Sequence, residues 1–230
     1  MDFHLNEEQK LIKATARDYA RSTLAKRVAE HDRTETFPSA NFRELGELGF
    51  MGIIVPEEYD GAGLGDVELA LVIEELAYVC PSTAVTLSVH NSLTCRVINW
   101  FGTEQQKRKY LPKLATGEII GAYAVTEPDY GSDAANIKLS AERHGDKYIL
   151  NGVKSWITTG AHAGCIIVFA RTDKNAEKPH RGISAFIVEP DFKGFRPGKA
   201  EKKMGLRPSD TCQLVFEDCE VPAENLLGEE

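Results

Sequence analysis

Polar and apolar positions change rhythm near the middle of this chain. Before that point, Leu11, Ile12, Ala16, Tyr19, Ala20 and Leu24 recur near helical spacing behind Asn6 and Gln9, a pair placed to form a capping box. The pattern predicts a first helix with one buried stripe. Phe42, Leu45 and Leu48 mark a second helix from about Ser39 to Leu48, stopped by Gly49. Leu69, Val72, Ile73 and Leu76 mark a third, with Asp66 as N-cap and Pro81 as its end. The run "STAVTLSVHNSLTCRVINWFG" predicts a largely buried helix closed by Gly102, and Thr103 with Gln106 predicts the cap of a further short helix.

From Ile119 the period falls to two. "IIGAYAVT", "IKLSAER", "KYILNG", "VKSWIT", "CIIVFART", "ISAFIVE" and "CQLVFED" are seven short runs rich in β-branched and aromatic residues, split by Gly-Asp, Asn-Gly and Gly-Phe turn signals. No βαβ alternation is present. The expected fold class is therefore α+β, an N-terminal all-helical domain over residues 1–117 followed by an antiparallel β-barrel or sandwich over residues 118–230. The junction "ATGE" is short, so the two parts are expected to pack closely. "VPAENLLGEE" forms a proline turn and an apolar pair and then stops, which reads as part of a longer chain.

Composition supports a buried core, with 42% hydrophobic residues. A formal net charge of −8 disfavours general binding to nucleic acid or to an anionic membrane, leaving only a local basic patch at "EKKMGLR". The cysteines at 80, 95, 165, 212 and 219 form an odd, scattered set without CxxC spacing and read as reduced thiols. With no basic stretch before an apolar run, and no apolar segment long enough to span a bilayer, the expectation is a soluble, cytoplasmic protein.

Two clusters invite chemistry. In "AYAVTEPDYGSD", residues 122–133, Pro128 ends ladder pairing, Gly131 lets backbone approach a ligand, and Thr126 and Ser132 offer uncharged hydroxyl donors. The same residues make a capped turn in which Asp133 satisfies loop amides. In "KSWITTG", Trp156 and Thr158 share a strand face, so a flat ligand could stack on the indole while the hydroxyl bonds its edge; a Trp filling the core is the competing reading. Other motifs lead nowhere. "YDGAGLGD", following the strand-like "GIIVP", has GxGxG rather than dinucleotide-loop spacing, and reads as a structural turn. The six histidines lack metal-site spacing, His90 reads as a core histidine, and no GxSxG elbow appears.

Together, and about 30 residues apart, these two clusters resemble the acyl-CoA dehydrogenase family. Ordered matches extend the resemblance over nearly the whole chain: "FHLNEEQKLIKATARDYA", "ELGFMGIIVPEEYDGAGLG", "EELA", "GTEQQKRKYLPKLATGE" and "KKMGLRPSDTCQLVFEDCEVPAENLLG". The resemblance implies a helical domain, a middle β domain and a C-terminal helical bundle, the last missing here. It implies FAD bound between middle and last domains, with Tyr123, Val125 and Thr126 at the flavin ring edge and Gly131 and Ser132 at the phosphates. Trp156 would lie on the flavin face, with Ile157 beside it and Thr158 at the hydride-accepting nitrogen. Ser132 would also touch acyl-CoA, and Thr86 and Val89 would line the far end of the acyl pocket.

The activity implied is α,β-dehydrogenation of an acyl-CoA thioester, with electrons passed to an electron-transfer flavoprotein and a homotetramer as the full-length assembly. A flavin oxidase or monooxygenase of the same fold, and a non-catalytic fragment or binding module, are the alternatives. No residue here is expected to be the catalytic base: Glu74, Glu75 and Glu127 read as structural, and in relatives the base lies in the bundle. "EPDYGSD" departs from the family pattern at Asp129 and Tyr130; a carboxylate near a pyrophosphate is repulsive, so Asp129 is expected to face outward.

Overall fold

A computed structural model describes residues 4–230; Met1, Asp2 and Phe3, where the chain opens, lie outside them. Helix α1 (Glu7–Tyr19) begins with the anticipated capping box, Asn6 Oδ1 accepting the Gln9 N–H at 2.8 Å and Gln9 Oε1 accepting the Asn6 N–H at 3.1 Å. One wide π-turn at Ala20–Leu24 carries it into α2 (Ala25–Thr34). Helix α3 (Ser39–Glu47) ends near Gly49, whose φ of 76° no larger residue adopts comfortably. Helix α4 (Asp66–Val79) starts one residue earlier than expected: Gly65 is the N-cap and Glu68 accepts its N–H, while Asp66 is drawn away to pair with Arg96. Gln9, Lys13 and Arg17 of α1 bond Glu68, Glu74 and Glu75 of α4, so both glutamates of "EELA" tie helices together.

Pro81 does more than stop α4, because it occupies the first turn of α5 (Pro81–Val89), where its missing N–H costs nothing. The expected single buried helix is interrupted by a π segment, His90–Cys95, before α6 (Arg96–Phe101). Buried His90 and Asn91 reach out of that segment to backbone of other elements. Helix α7 (Glu104–Ala115) follows, capped by Thr103 and Gln106; Gln106 Nε2 also donates to the carbonyls of Glu224 and Leu226. "GIIVP" is a 3₁₀ and bend segment rather than a strand, folded under the 61–63 turn, where a Cβ on Gly61 would lie 2.0 Å from the Val55 carbonyl oxygen.

The β region holds β1 (Gly121–Ala124), β2 (Ser140–His144), β3 (Lys147–Thr158), β4 (Cys165–Arg171), β5 (Ile183–Val188), β6 (Phe195–Ala200), β7 (Thr211–Pro222) and β8 (Leu226–Leu227). They form one sheet in the order β6-β7-β3-β2-β4-β5-β8, with β1 beside β4. It is not closed into a barrel. Pairing is mostly antiparallel, but β1 runs parallel to β4.

Two expected strands, "KYILNG" and "VKSWIT", are one. Asn151-Gly152 makes a bulge in β3 instead of a turn, since Asn151 bonds Asp218 on β7 and a Cβ on Gly152 would press to 2.9 Å from Leu139 Cα. β6 escaped the alternation signal because it contains Pro197 and Gly198; as an edge strand it needs no complete donor row.

Three apolar clusters organise the molecule. One fills the helical region around Phe42, Met51, Val72 and Leu76; one lies within the sheet around Tyr148, Phe186 and Leu214. The third joins them, packing Ile98, Leu111 and Leu114 on Cys165, Ile167 and Ile187 of the sheet. All five cysteines are free and buried. Burial pushes the thiols of Cys212 and Cys219 up to about 12 and raises Cys95 and Cys165 as well. No helix of the described residues is long and apolar enough to cross a membrane.

His90 is the core histidine anticipated. Its Nδ1 accepts the Gly121 N–H at 2.9 Å and its Nε2 lies 3.0 Å from the Met51 carbonyl, so the neutral Nε2–H tautomer bridges both regions. Burial depresses its pKa to about 4. The unfolded chain therefore binds this proton first, so stability is full above the ordinary histidine value and falls as pH drops toward 4. Between pH 7 and 5 this residue alone is expected to remove about 2 kcal/mol. Urea unfolding at the two pH values checks it: His90→Gln should show a correspondingly shallower pH dependence, and equal slopes would disprove the assignment.

Candidate functional site

The two sequence clusters meet where β1 ends beside β3. Ala122 and Ala124 of β1 point into the sheet core, leaving Tyr123 part-exposed on the other face, with its ring edge on Phe169 at a centroid distance of 5.2 Å. Tyr123 and Phe169, with Ile183, are shared by two adjoining clefts of about 340 and 420 Å³. Val125 lines the first of them.

Beyond Val125 the loop is pinned from beneath. Glu127 is 5% exposed, and its carboxylate accepts the backbone N–H groups of Lys138 at 2.6 Å and Leu139 at 2.9 Å. Glu127, and not Asp133, satisfies the loop amides. Lys154 of β3, fully buried, donates to the same carboxylate at 2.9 Å and to the Val125 carbonyl at 2.8 Å. Burial lowers the lysine pKa to about 8, with Glu127 opposing the fall. The Ser155 N–H donates to the Thr126 carbonyl at 2.8 Å, so consecutive residues of β3 hold the loop by side chain and by backbone.

Immediately after this clamp β3 leaves regular geometry. Its register against β7 shifts between Lys154 and Ile157, and Trp156 adopts φ 62°, with Thr159 at φ 65°. A left-handed conformation is uncommon for a bulky residue and costs of order 1–3 kcal/mol. Trp156 gains no core packing in return, being 63% exposed. The core-filling alternative for this tryptophan is thus excluded. Thr158 is part-exposed, while Ile157 is buried at 2% exposed and belongs to the sheet core.

The remaining anticipated residues fall as follows. Thr126 is part-exposed, and Gly131, Ser132 and Asp129 are exposed. An added Cβ on Gly131 meets nothing within 4 Å, and its φ is not left-handed, so neither packing nor backbone geometry requires glycine there. Open approach to the backbone is what glycine supplies. Among the described residues, the hydroxyls of Tyr123, Thr126, Ser132 and Thr158 have no hydrogen-bond partner within the chain. Ser155 and Thr159 carry buried hydroxyls without partners on either side of Trp156. Thr86, expected on an acyl-pocket wall, is wholly buried; the accessible side of α5 carries Val85, Ser88 and Val89 instead.

This arrangement suits a flat, polar-edged ligand: an exposed indole, a row of neutral donors and an unobstructed glycine. Comparison with known proteins decides the lineage. The profile of the acyl-CoA dehydrogenase N-terminal domain matches residues 6–118, and that of the acyl-CoA dehydrogenase middle domain matches residues 122–219. The chain belongs to the acyl-CoA dehydrogenase family. It is 47% identical over all 230 residues to a short-chain specific acyl-CoA dehydrogenase of Clostridium acetobutylicum, spanning 60% of that protein's length. A chain in the structure of the electron transferring flavoprotein of Acidaminococcus fermentans superposes with TM-score 0.97 at 48% identity, with 100% of this chain and 60% of that one covered. An acyl-CoA dehydrogenase of Bacillus anthracis complexed with FAD superposes with TM-score 0.89 at 41% identity, covering 98% of this chain and 38% of that one.

Sequence reasoning missed Lys154, because a lysine in a strand ordinarily points to solvent and only the fold shows this one facing inward. Lys154→Met is expected to destabilise the acyl-CoA dehydrogenase chain by about 3 kcal/mol or more, since it strands a buried carboxylate. The double variant Lys154→Met/Glu127→Gln should recover part of that loss in urea unfolding. Strictly additive losses would show that the two groups are not coupled.

Proposed function

We propose that this chain supplies the flavin- and substrate-binding part of an FAD-dependent acyl-CoA dehydrogenase that converts an acyl-CoA thioester to its trans-2-enoyl form. The observation that carries the reading is Trp156, an exposed indole held at a left-handed backbone beside the free hydroxyl of Thr158. Strain of this kind collects where a site is organised for a ligand. The unobstructed Gly131 and the partnerless hydroxyls of Thr126 and Ser132 fit the cofactor's polar edge and phosphates. The B. anthracis relative, complexed with FAD, supports the choice of cofactor.

When bound, FAD supplies the acceptor for the hydride leaving the β carbon. Trp156 packs against the ring and excludes water from one face, while Thr158 and Thr126 donate to its edge. Such preorganised donors can stabilise negative charge that develops at the ring edge during reaction. Val89 and its neighbours on α5 form one wall for a short or medium acyl group, and Ser132 contributes to holding the thioester's CoA portion.

The proton-abstracting carboxylate comes from outside these 230 residues. Glu127 is buried among three donors, and Glu74 and Glu75 are engaged by Lys13 and Arg17. Electrons leave to an electron-transfer flavoprotein, in keeping with the A. fermentans likeness.

The visible spectrum of the purified full-length protein after incubation with FAD tests the cofactor reading. Flavin absorbance that survives desalting, with quenching of Trp156 fluorescence, is the expected result; a colourless chain with unquenched emission counts against it. Trp156→Gly relieves the left-handed strain and removes little packing, so it is expected to change stability by less than about 1 kcal/mol while weakening FAD binding roughly tenfold or more. A large loss of stability would return Trp156 to a structural role. For the substrate, turnover of short and long acyl-CoAs by the full-length protein should shift toward longer chains on Val89→Gly, and an unchanged preference removes α5 from the pocket.

A further inference from the structure

Thr159, the second left-handed residue, directly after β3, is held by a residue outside the site just described. Asp210 directly precedes Thr211 and Cys212, which pair with Thr158 and Ile157 in the last rungs of the β3–β7 ladder. Its backbone carbonyl accepts the Thr159 N–H at 2.8 Å. Its carboxylate Oδ2 accepts the Ala161 N–H at 2.7 Å and lies 3.2 Å from His162 Nδ1. Asp210 is only 8% exposed, so these contacts are shielded from competing water.

The restraint continues outward from the strand. The His162 ring stacks on Phe37 at a centroid distance of 4.1 Å and 14° between planes, and Phe37 stacks on Phe42 of α3 at 5.3 Å. The turn after Thr158 is thereby anchored to the core of the helical region. A β-branched residue at positive φ persists only where its surroundings over-determine it. The hydroxyl of Thr159 does not provide that, being buried without a partner, and the ladder ends at Thr158. The Asp210 carbonyl holds the Thr159 N–H and the Thr159 carbonyl accepts the His162 N–H at 3.1 Å, while the Asp210 carboxylate fixes the Ala161 N–H and the His162 ring that complete the turn.

We propose that Asp210, acting through Ala161 and His162, is a positioning residue that fixes where the Thr158 hydroxyl and the Trp156 ring stand against the flavin. The proposal rests on the flavin reading of the site. Lys154 and Glu127 clamp the segment 155–158 at its start, and Asp210 clamps it at its end. An anionic acceptor suits this place, because one oxygen meets both an amide N–H and an imidazole.

The test uses the full-length, FAD-loaded protein. Asp210→Ala is expected to lower kcat about tenfold or more through misplacement of the reacting groups, leaving KM for acyl-CoA within about twofold and FAD bound. The flavin's visible absorption maximum should shift, and amide exchange at Thr159, Ala161 and His162 should quicken. Asp210→Asn, which keeps an acceptor oxygen, should restore kcat to within about threefold of the wild type, and His162→Ala should move the same readouts in the same direction by about threefold. Wild-type kcat and flavin spectrum in Asp210→Ala would overturn the proposal. Loss of kcat matched by loss of FAD and of thermal stability, with Asp210→Asn no better, would equally overturn it, leaving a structural role only. A wild-type protein without flavin absorbance would instead sink the flavin reading on which the proposal stands.

Discussion

Burying the Lys154 ammonium against the Glu127 carboxylate sets the geometry of everything around it. Both ions lose hydration, and their attraction offsets that cost only if the remaining donor and acceptor positions are filled. They are filled by the Val125 carbonyl and by the N–H groups of Lys138 and Leu139. The pair therefore dictates the path of the loop after β1 as well as the inward turn of β3. Replacing it with hydrocarbon could match its contribution to stability, yet would not prescribe where the loop runs. The left-handed Trp156 directly follows this fixed point, and a strained residue needs such a neighbour to remain strained.

A second layer of constraint lies between the helical region and the sheet. The π segment in the middle of the α5–α6 rod widens the helix where His90 and Asn91 reach the backbone of Met51 and Phe50, and where His90 receives the first N–H of β1. The strand that launches the site is thus hung from a buried imidazole. With the Phe37–His162 stack at the other end of the site, the end of β3 bearing Trp156 is referenced to the helices at two separated points. Site geometry depends on both halves of the molecule, although most of the anticipated contact residues lie in one.

Much of this was legible in the sequence. Capping pairs at Asn6/Gln9 and Thr103/Gln106, the switch of period near residue 119 and the two hydroxyl-bearing clusters are local signals, and local physics decides them. What escaped depended on tertiary context. Asn151-Gly152 has the chemistry of a turn, but Asp218 and Leu139 across the sheet make it a bulge. Pro197 and Gly198 argue against a strand unless the strand is known to be an edge. The inward-facing Lys154 and the Asp210 clamp join residues far apart in sequence, so no window of the chain contains them.

The burial of the five thiols bears on how the chain ages. A thiolate is the species that oxidises or alkylates; all five sulfurs are enclosed, and burial holds Cys95, Cys165, Cys212 and Cys219 in the protonated form. Their chemistry is therefore coupled to opening of the structure rather than to the redox state outside. Since Cys80 lies in the helical region, Cys212 and Cys219 in the sheet, and Cys95 and Cys165 where the two meet, the order in which the sulfurs become reactive would chart which part of the molecule loosens first.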